Sequence, residues 1–305
     1  MPDSVSVVIS VYSKERLAYA IACIDSLKLQ TLLPREIILV LDPDEELARF
    51  YRSKLAKDLR IVVSENRGLS NARNAGIKHA SGEIVAFIDD DAVADKRWLE
   101  NLVTAYDDSD VVGAGGLIKP FWETDQPAWF PEELNWVIGC SYKGLPEQRA
   151  DVRNVIGCNM SFKREIFEKV GYFRTDVGRF GKTLTAGEEP EISMRIMNRL
   201  PNSRIIYEPL AIVNHRVSRN RVSPRYMWRR SFYEGISKAM MTNPKSNNSS
   251  SLSTENRYLN YLFTTAVPKR IRRIYLPKNL SQLILLMGVS AAVFLGFFAG
   301  KLGQR

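Results

Sequence analysis

Cysteine is scarce in this chain: three occur in 305 residues, Cys23, Cys140 and Cys158, at unrelated spacings. Such usage excludes a disulfide framework and every Cys-based zinc or redox motif, and it fits reduced thiols in a cytosolic setting. The start, Met1-Pro2-Asp3-Ser4, lacks the basic region and apolar core of a signal peptide and passes directly into a strand-like run. Internal repeats are absent. Glycine is missing from Ser10 to Arg16, which counts against the Gly-rich phosphate loop that a nucleotidyltransferase would carry after its first strand. Acidic residues are few in the last third. From Pro201 to Arg305 there are 17 Lys/Arg and 3 Asp/Glu, a balance of +14, against −5 in the first 200 residues. A basic C-terminal third implies an anionic partner, whether nucleic acid, acidic substrate or membrane surface.

Charge is also missing from Leu280 to Ala299. As a helix rising about 1.5 Å per residue, this run spans roughly 30 Å, the thickness of a bilayer core. Its apolar residues fall on all helical faces, and basic residues flank it, so a membrane span is favoured over a buried C-terminal helix. Lys269, Arg270, Arg272, Arg273 and Lys278 precede it, while Lys301 and Arg305 follow. The positive-inside rule then puts the large N-terminal part on the cytoplasmic side of the cell membrane as a single-pass protein. The stretch Val267 to Lys278 is expected on anionic headgroups, gaining roughly 1 kcal/mol per basic residue. Much of the basic excess is therefore juxtamembrane, and with no nucleic-acid motif present no nucleic-acid partner is expected.

The remainder is globular. Val5–Val11, Glu36–Leu41, Arg60–Ser64 and Glu83–Ile88 read as buried strands, with helices expected at Lys14–Leu29, Glu45–Leu55 and Leu69–Ala80. That alternation predicts an α/β fold with a mainly parallel sheet flanked by helices. Further on, helices are expected at Lys96–Tyr106, Arg164–Val170, Glu188–Arg199 and Pro224–Met241, and strands at Val111–Lys119, Asn154–Phe162 and within Arg204–His215. The segment Pro120–Leu145, with Trp122, Trp129 and Trp136, reads as a functional loop with helical pieces. Gly178–Gly187 is a candidate mobile lid, and Asn243–Thr254 a linker. The expected divisions are 1–110 and 111–242 as two halves of one domain, 243–278 for linker and basic segment, and 279–300 for the membrane helix.

The most informative feature is Asp89-Asp90-Asp91 at the end of an apolar strand. Carboxylates there suit a hard cation such as Mg²⁺ or Mn²⁺ with substrate phosphates completing its shell, although Asp also favours plain turns and helix caps. In open α/β sheets ligands bind outside the carboxyl ends of strands. The other strands deliver Ser10-Val11-Tyr12, Asp42 and Asn66-Arg67-Gly68 to that same edge. Asp42 suits a base or ribose. Arg73, on the helix after Gly68, suits a base or diphosphate, unless it makes a surface salt bridge.

Together these segments resemble the inverting family 2 glycosyltransferases of the GT-A fold. The resemblance rests on Val5–Tyr12, Glu36–Asp42, Arg67-Gly68-Leu69-Ser70-Asn71-Ala72-Arg73-Asn74-Ala75-Gly76, Phe87–Asp91, Gly157–Phe162 and Gly187-Glu188-Glu189-Pro190-Glu191, and covers roughly Ser4 to His215. Each motif is weakly specific; their order is highly specific. It implies that Ser10, Tyr12, Glu15, Asp42, Arg73, Asp89 and Asp90 hold a nucleotide-sugar donor, a UDP- or GDP-sugar. It implies Asp91, with His215, as ligands of Mn²⁺ or Mg²⁺, the metal offsetting charge on the departing nucleoside diphosphate. Glu189 stands where the family places the general base that deprotonates the acceptor hydroxyl, with Glu188 second. The chain departs from the family at Glu188-Glu189, where Glu-Asp is usual, at Ser10, where Pro is usual, and at Asp42-Pro43-Asp44, where two aspartates and Gly-Ser are usual. His79 is expected on the surface, and Cys158 and Met160 in packing. A lipid-linked or other glycan acceptor is expected. The single span and the missing Gln-x-x-Arg-Trp pattern argue against a processive synthase. The alternatives are a nucleotidyltransferase making an activated sugar or alcohol, and a catalytically dead adaptor.

Overall fold

The computed structural model describes residues 4–56, 59–176, 187–242 and 253–303. Most of the expected lid Gly178–Gly187 (178–186) and of the expected linker Asn243–Thr254 (243–252) lies outside them, and Ser253 and Thr254 open a helix instead. Among the described residues two compact units result: one of residues up to Lys119 with 146–176 and Glu188–His215, the other of Pro120–Leu145 with 216–242 and 253–303.

In the first unit, the apolar runs form β1 (Val5–Val11), β2 (Glu36–Leu41), β3 (Arg60–Val63) and β4 (Ile84–Asp89). Between them lie α1 (Leu17–Lys28), α2 (Glu45–Lys54) and α3 (Leu69–His79). The four strands pair in parallel in the order β3-β2-β1-β4. β1, β2 and β4 are mostly buried, as parallel strands covered on both faces are, whereas β3 at the sheet edge is partly exposed. Asp44 caps α2, accepting from the backbone N–H groups of Glu46 and Leu47 at 2.9 and 3.0 Å. Gly68, at φ 113°, turns the chain into α3 in a conformation that a side chain would oppose.

Beyond β4 follow β5 (Ala92–Ala94), α4 (Trp98–Thr104), β6 (Val111–Trp122), β7 (Ala150–Asp151), β8 (Asn159–Lys163), α5 (Glu165–Val170), α6 (Glu188–Arg199) and β9 (Arg204–Val217). The sheet continues from β4 as β8-β6-β9-β5, with antiparallel pairing of β8 to both β4 and β6, and of β5 and β7 to β9. One core layer gathers Val8, Val40, Phe87, Met160, Phe162, Phe173 and Ile192. Asn159, fully buried, braces this half: Trp98 Nε1 donates to its Oδ1 at 2.8 Å, and its Nδ2 donates to the Ala211 carbonyl at 2.8 Å. Ser161 likewise joins Tyr106 Oη at 2.7 Å and donates to the Ala114 carbonyl at 3.0 Å.

The second unit holds a helical turn at Glu132–Ile138, then α7 (Pro224–Met241), α8 (Ser253–Tyr261), α9 (Val267–Ile271) and α10 (Pro277–Leu302). A Cβ on Gly235 would lie 2.0 Å from the Val293 carbonyl oxygen, and one on Gly296 1.9 Å from that of Phe232. α7 and α10 therefore meet backbone to backbone, as small residues allow. α10 is long and apolar enough to cross a membrane by length and composition. It buries Leu283, Leu286, Val289 and Ala292 and exposes Ile284, Met287, Phe294, Leu295 and Phe298. Arg270 does not face outward as its place in the basic segment suggested. Its guanidinium donates to both carboxylate oxygens of buried Glu133, at 2.9 and 2.7 Å, and its Nε to Gln282 at 2.9 Å. Lys269, Arg272, Arg273 and Lys278 remain exposed beside Ile271, Ile274, Tyr275 and Leu276.

Candidate active site

Strand register brings the sequence-predicted residues to one edge. Ser10 pairs with Asp89 across β1 and β4 and with Val40 across β1 and β2. Asp42 follows β2, its N–H donating to the Val11 carbonyl at 3.2 Å and its Oδ1 accepting from the Gly68 N–H at 3.4 Å. Burial raises the pKa of its carboxyl, against the opposing pull of Gly68 and Arg67. Tyr12 is open to solvent, 63% exposed, just past β1. Glu15 is exposed in the turn that follows, and a hydrogen bond from the Ser13 side chain lowers its pKa.

The three aspartates have different surroundings. Asp90 is buried, and the Arg16 guanidinium grips it through Nε and Nη2. Burial pushes its carboxyl up to about 6 although Arg16 opposes the shift. Arg16 also reaches Asp91 at 2.9 Å and lies over the Tyr12 ring at 5.1 Å. Asp91 Oδ1 stands 3.3 Å from His215 Nε2. That approach follows from β5–β9 pairing, which sets Ala92 opposite His215. Single ligand atoms of Asp89, Cys158 and His215 all lie within 4.8 Å of one another. Carboxylate oxygens with an imidazole form a donor set that fits Mn²⁺, and less specifically Mg²⁺.

A second cluster lies on α3 and α6. Arg73 is buried, with Nη1 3.1 Å from Glu189 Oε1 and 3.7 Å from Glu188 Oε1, and its guanidinium 5.5 Å from the centre of the Phe173 ring. Burial acts to lower its pKa, yet Glu189, Glu188 and Asp89 raise it overall. Arg73 is thus not a surface salt bridge: it is buried and ion-paired with the acidic pair. Gly157 makes room for that pair, since a Cβ there would lie 2.0 Å from Glu189 Oε1 and 2.3 Å from Arg73 Nη2. His79 is exposed on α3, its Nδ1 2.8 Å from the Ala75 carbonyl, clear of both clusters.

Three site residues escaped the sequence reading. Arg16 was visible only as a cation in a glycine-free loop. Gly157 was visible only as part of a motif. Cys158 is buried, as a packing residue is, and its sulfur also lies within 4.8 Å of ligand atoms of Asp89 and His215.

The sheet order and the carboxylates at its edge define a GT-A-like transferase. Solved structures agree on the fold. The structure of GalNAc-T7 with UDP, GalNAc and Mn²⁺ superposes with TM-score 0.53 at 18% identity, over 86% of this chain and 56% of that one. Staphylococcus aureus TarS 1–349 superposes with TM-score 0.52 at 17% identity, over 95% of this chain and 81% of that one. The sequence profile for glycosyl transferase family 2 matches residues 6–171. A glucosyl-dolichyl phosphate glucuronosyltransferase of Haloferax volcanii is 34% identical over 98% of this chain and 96% of its own length. The chain belongs to the family 2 glycosyltransferases, and this sets aside the nucleotidyltransferase and adaptor alternatives.

Proposed function

We propose that this glycosyltransferase moves a sugar, with inversion, from a UDP- or GDP-sugar to a hydroxyl of a dolichyl-phosphate-linked sugar at the cytoplasmic face of the membrane. Gly157 and Cys158 carry the reading. Adjacent in sequence, they lie against the Arg73–Glu189 pair and within the Asp89–His215 cluster respectively, so one stretch of chain borders both, and Asp89 acts on Arg73 electrostatically.

Tyr12, Ser10, Glu15 and Asp42 line the edge where base and ribose bind, and Asp89 meets the ribose or the metal. Asp90, locked to Arg16, fixes the turn that aims Asp89 and Asp91. Asp91 and His215 would hold a divalent metal, which would offset negative charge on the leaving diphosphate. Glu189 takes the acceptor proton as that oxygen attacks the anomeric carbon on the face opposite the leaving group. Arg73 orients Glu189 from beneath. The acceptor class is motivated by the Haloferax relative. The exposed apolar face of α10 and the basic 269–278 segment supply the membrane attachment, as a single-pass anchor.

The test uses full-length protein in detergent with Mn²⁺, a panel of UDP- and GDP-sugars, and dolichyl phosphate glucose. Transfer from at least one donor to the lipid is expected. Absence of transfer from every donor would remove the acceptor assignment. Release of the protein from membranes by an alkaline carbonate wash would remove the single-pass anchor.

A further inference from the structure

We propose that Cys158 is a metal ligand, so that the site is a mixed carboxylate–imidazole–thiolate centre favouring thiophilic divalent cations. The inference rests on the metal reading above and extends it to a residue outside the expected donor set.

The position follows from strand pairing. Ile88 pairs with Asn159 at the end of the β4–β8 ladder, and the next residue on each chain is Asp89, closing β4, and Cys158, in the turn that leads into β8. β5–β9 pairing delivers His215 independently to the same place. An oxygen, a sulfur and a nitrogen then lie within 4.8 Å of one another, Cys158 and His215 being buried. Metal bonds from such donors measure about 2.0–2.3 Å, so three donors sharing one ion stand roughly 3.3–4.0 Å apart, inside the 4.8 Å limit on these atoms. Side-chain shifts of up to about 0.5–0.8 Å each therefore close the set. Asp91, whose Oδ1 is 3.3 Å from His215 Nε2, stands beside it as a further donor. No disulfide claims the sulfur. As the sulfur–metal bond forms, the thiol proton passes to solvent, leaving a thiolate ligand. Thiolate selects Zn²⁺, Cd²⁺ or Co²⁺ over Mg²⁺, whereas an all-carboxylate site does not.

Metal-stripped full-length protein in detergent is titrated with Co²⁺ and read spectroscopically, apart from any turnover. Visible d–d bands report binding, and a near-ultraviolet sulfur-to-cobalt charge-transfer band reports thiolate ligation. The wild type is expected to give both. Cys158→Ser, with Cys158→Ala as a second variant, is expected to keep the d–d bands and lose the charge-transfer band. Its Cd²⁺ affinity is expected to fall roughly 10- to 100-fold or more, with Mn²⁺ affinity changed far less. Cobalt d–d bands without a charge-transfer band in the wild type would overturn the Cys158 assignment while leaving the metal site standing. A charge-transfer band that survives in both variants would also overturn it. Failure to bind Co²⁺ at all would overturn both this inference and the metal reading beneath it.

Discussion

Replacing Gly157 with alanine isolates the geometry of the proposed base. The added Cβ would stand 2.0 Å from Glu189 Oε1 and 2.3 Å from Arg73 Nη2, where real Cβ contacts essentially never fall below 3.0 Å. The carboxylate oxygen must retreat by about 1 Å to restore that limit. Gly157 is not among the glycines at positive φ, so the cost is contact and not backbone conformation. Displacing a reacting group by about 1 Å costs on the order of 100-fold in rate. Overpacking of this size costs about 1–3 kcal/mol of stability, which leaves the protein folded. The assay compares kcat for transfer with donor affinity from a binding titration, alongside a thermal melt. We expect kcat to fall roughly 100-fold with donor Kd nearly unchanged. A folded variant with wild-type kcat would refute the placement of Glu189 at the reacting oxygen.

Glu189→Gln keeps the shape but removes the proposed base; transfer should fall roughly 10²- to 10⁴-fold in steady-state kinetics while donor binding persists. Arg16→Ala leaves the buried Asp90 carboxylate unpaired, and chemical denaturation should register a loss of about 3–5 kcal/mol. Glu36 accepts from Ser6 and Ser81 side chains and from the Ser81 N–H, each at 2.7 Å, and from Arg60 at 2.9 Å. Burial pushes its carboxyl up, but these donors outweigh it and hold it at about 2, against an ordinary 4.5. The unfolded chain therefore binds the proton first, so this stability is present above about pH 4.5 and lost as pH falls towards 2. Glu36→Gln should flatten that acid limb in urea midpoints measured across the window. In α10, Gly296→Val would press on the Phe232 carbonyl and lower stability by about 1–3 kcal/mol in a detergent melt. Gly288→Ala, with nothing within 4 Å of the new methyl, should stabilise the same helix by roughly 0.5–1 kcal/mol.

The parallel half of the fold was legible because buried strands spell themselves as continuous apolar runs, and β1 to β4 fall where those runs lie. The gathering of polar residues at one sheet edge was legible for the same reason, since parallel strands must present their C-terminal ends together. The antiparallel half was harder. β5 is three residues long, too short for a periodic signal, yet its pairing with β9 is what carries His215 to Asp91. Cys158 reads as packing because one small thiol has no spacing pattern, and only the β4–β8 register reveals its neighbours. Arg73 was located but its partner was not. The Arg73–Glu189 contact joins residues 116 apart, and nothing local announces it. Arg270 shows the same limit from the other side: its neighbours suggested a headgroup contact, whereas Glu133 takes its charge inside the second unit.

The stereochemistry of the transferred sugar tests the central claim most directly. A single displacement assisted by Glu189 must invert the anomeric carbon. A donor with an α-linked nucleotide, supplied with dolichyl phosphate glucose and a divalent metal, is therefore predicted to give a β-linked product whose anomeric proton is read by NMR. An α-linked product from the same donor would contradict the account.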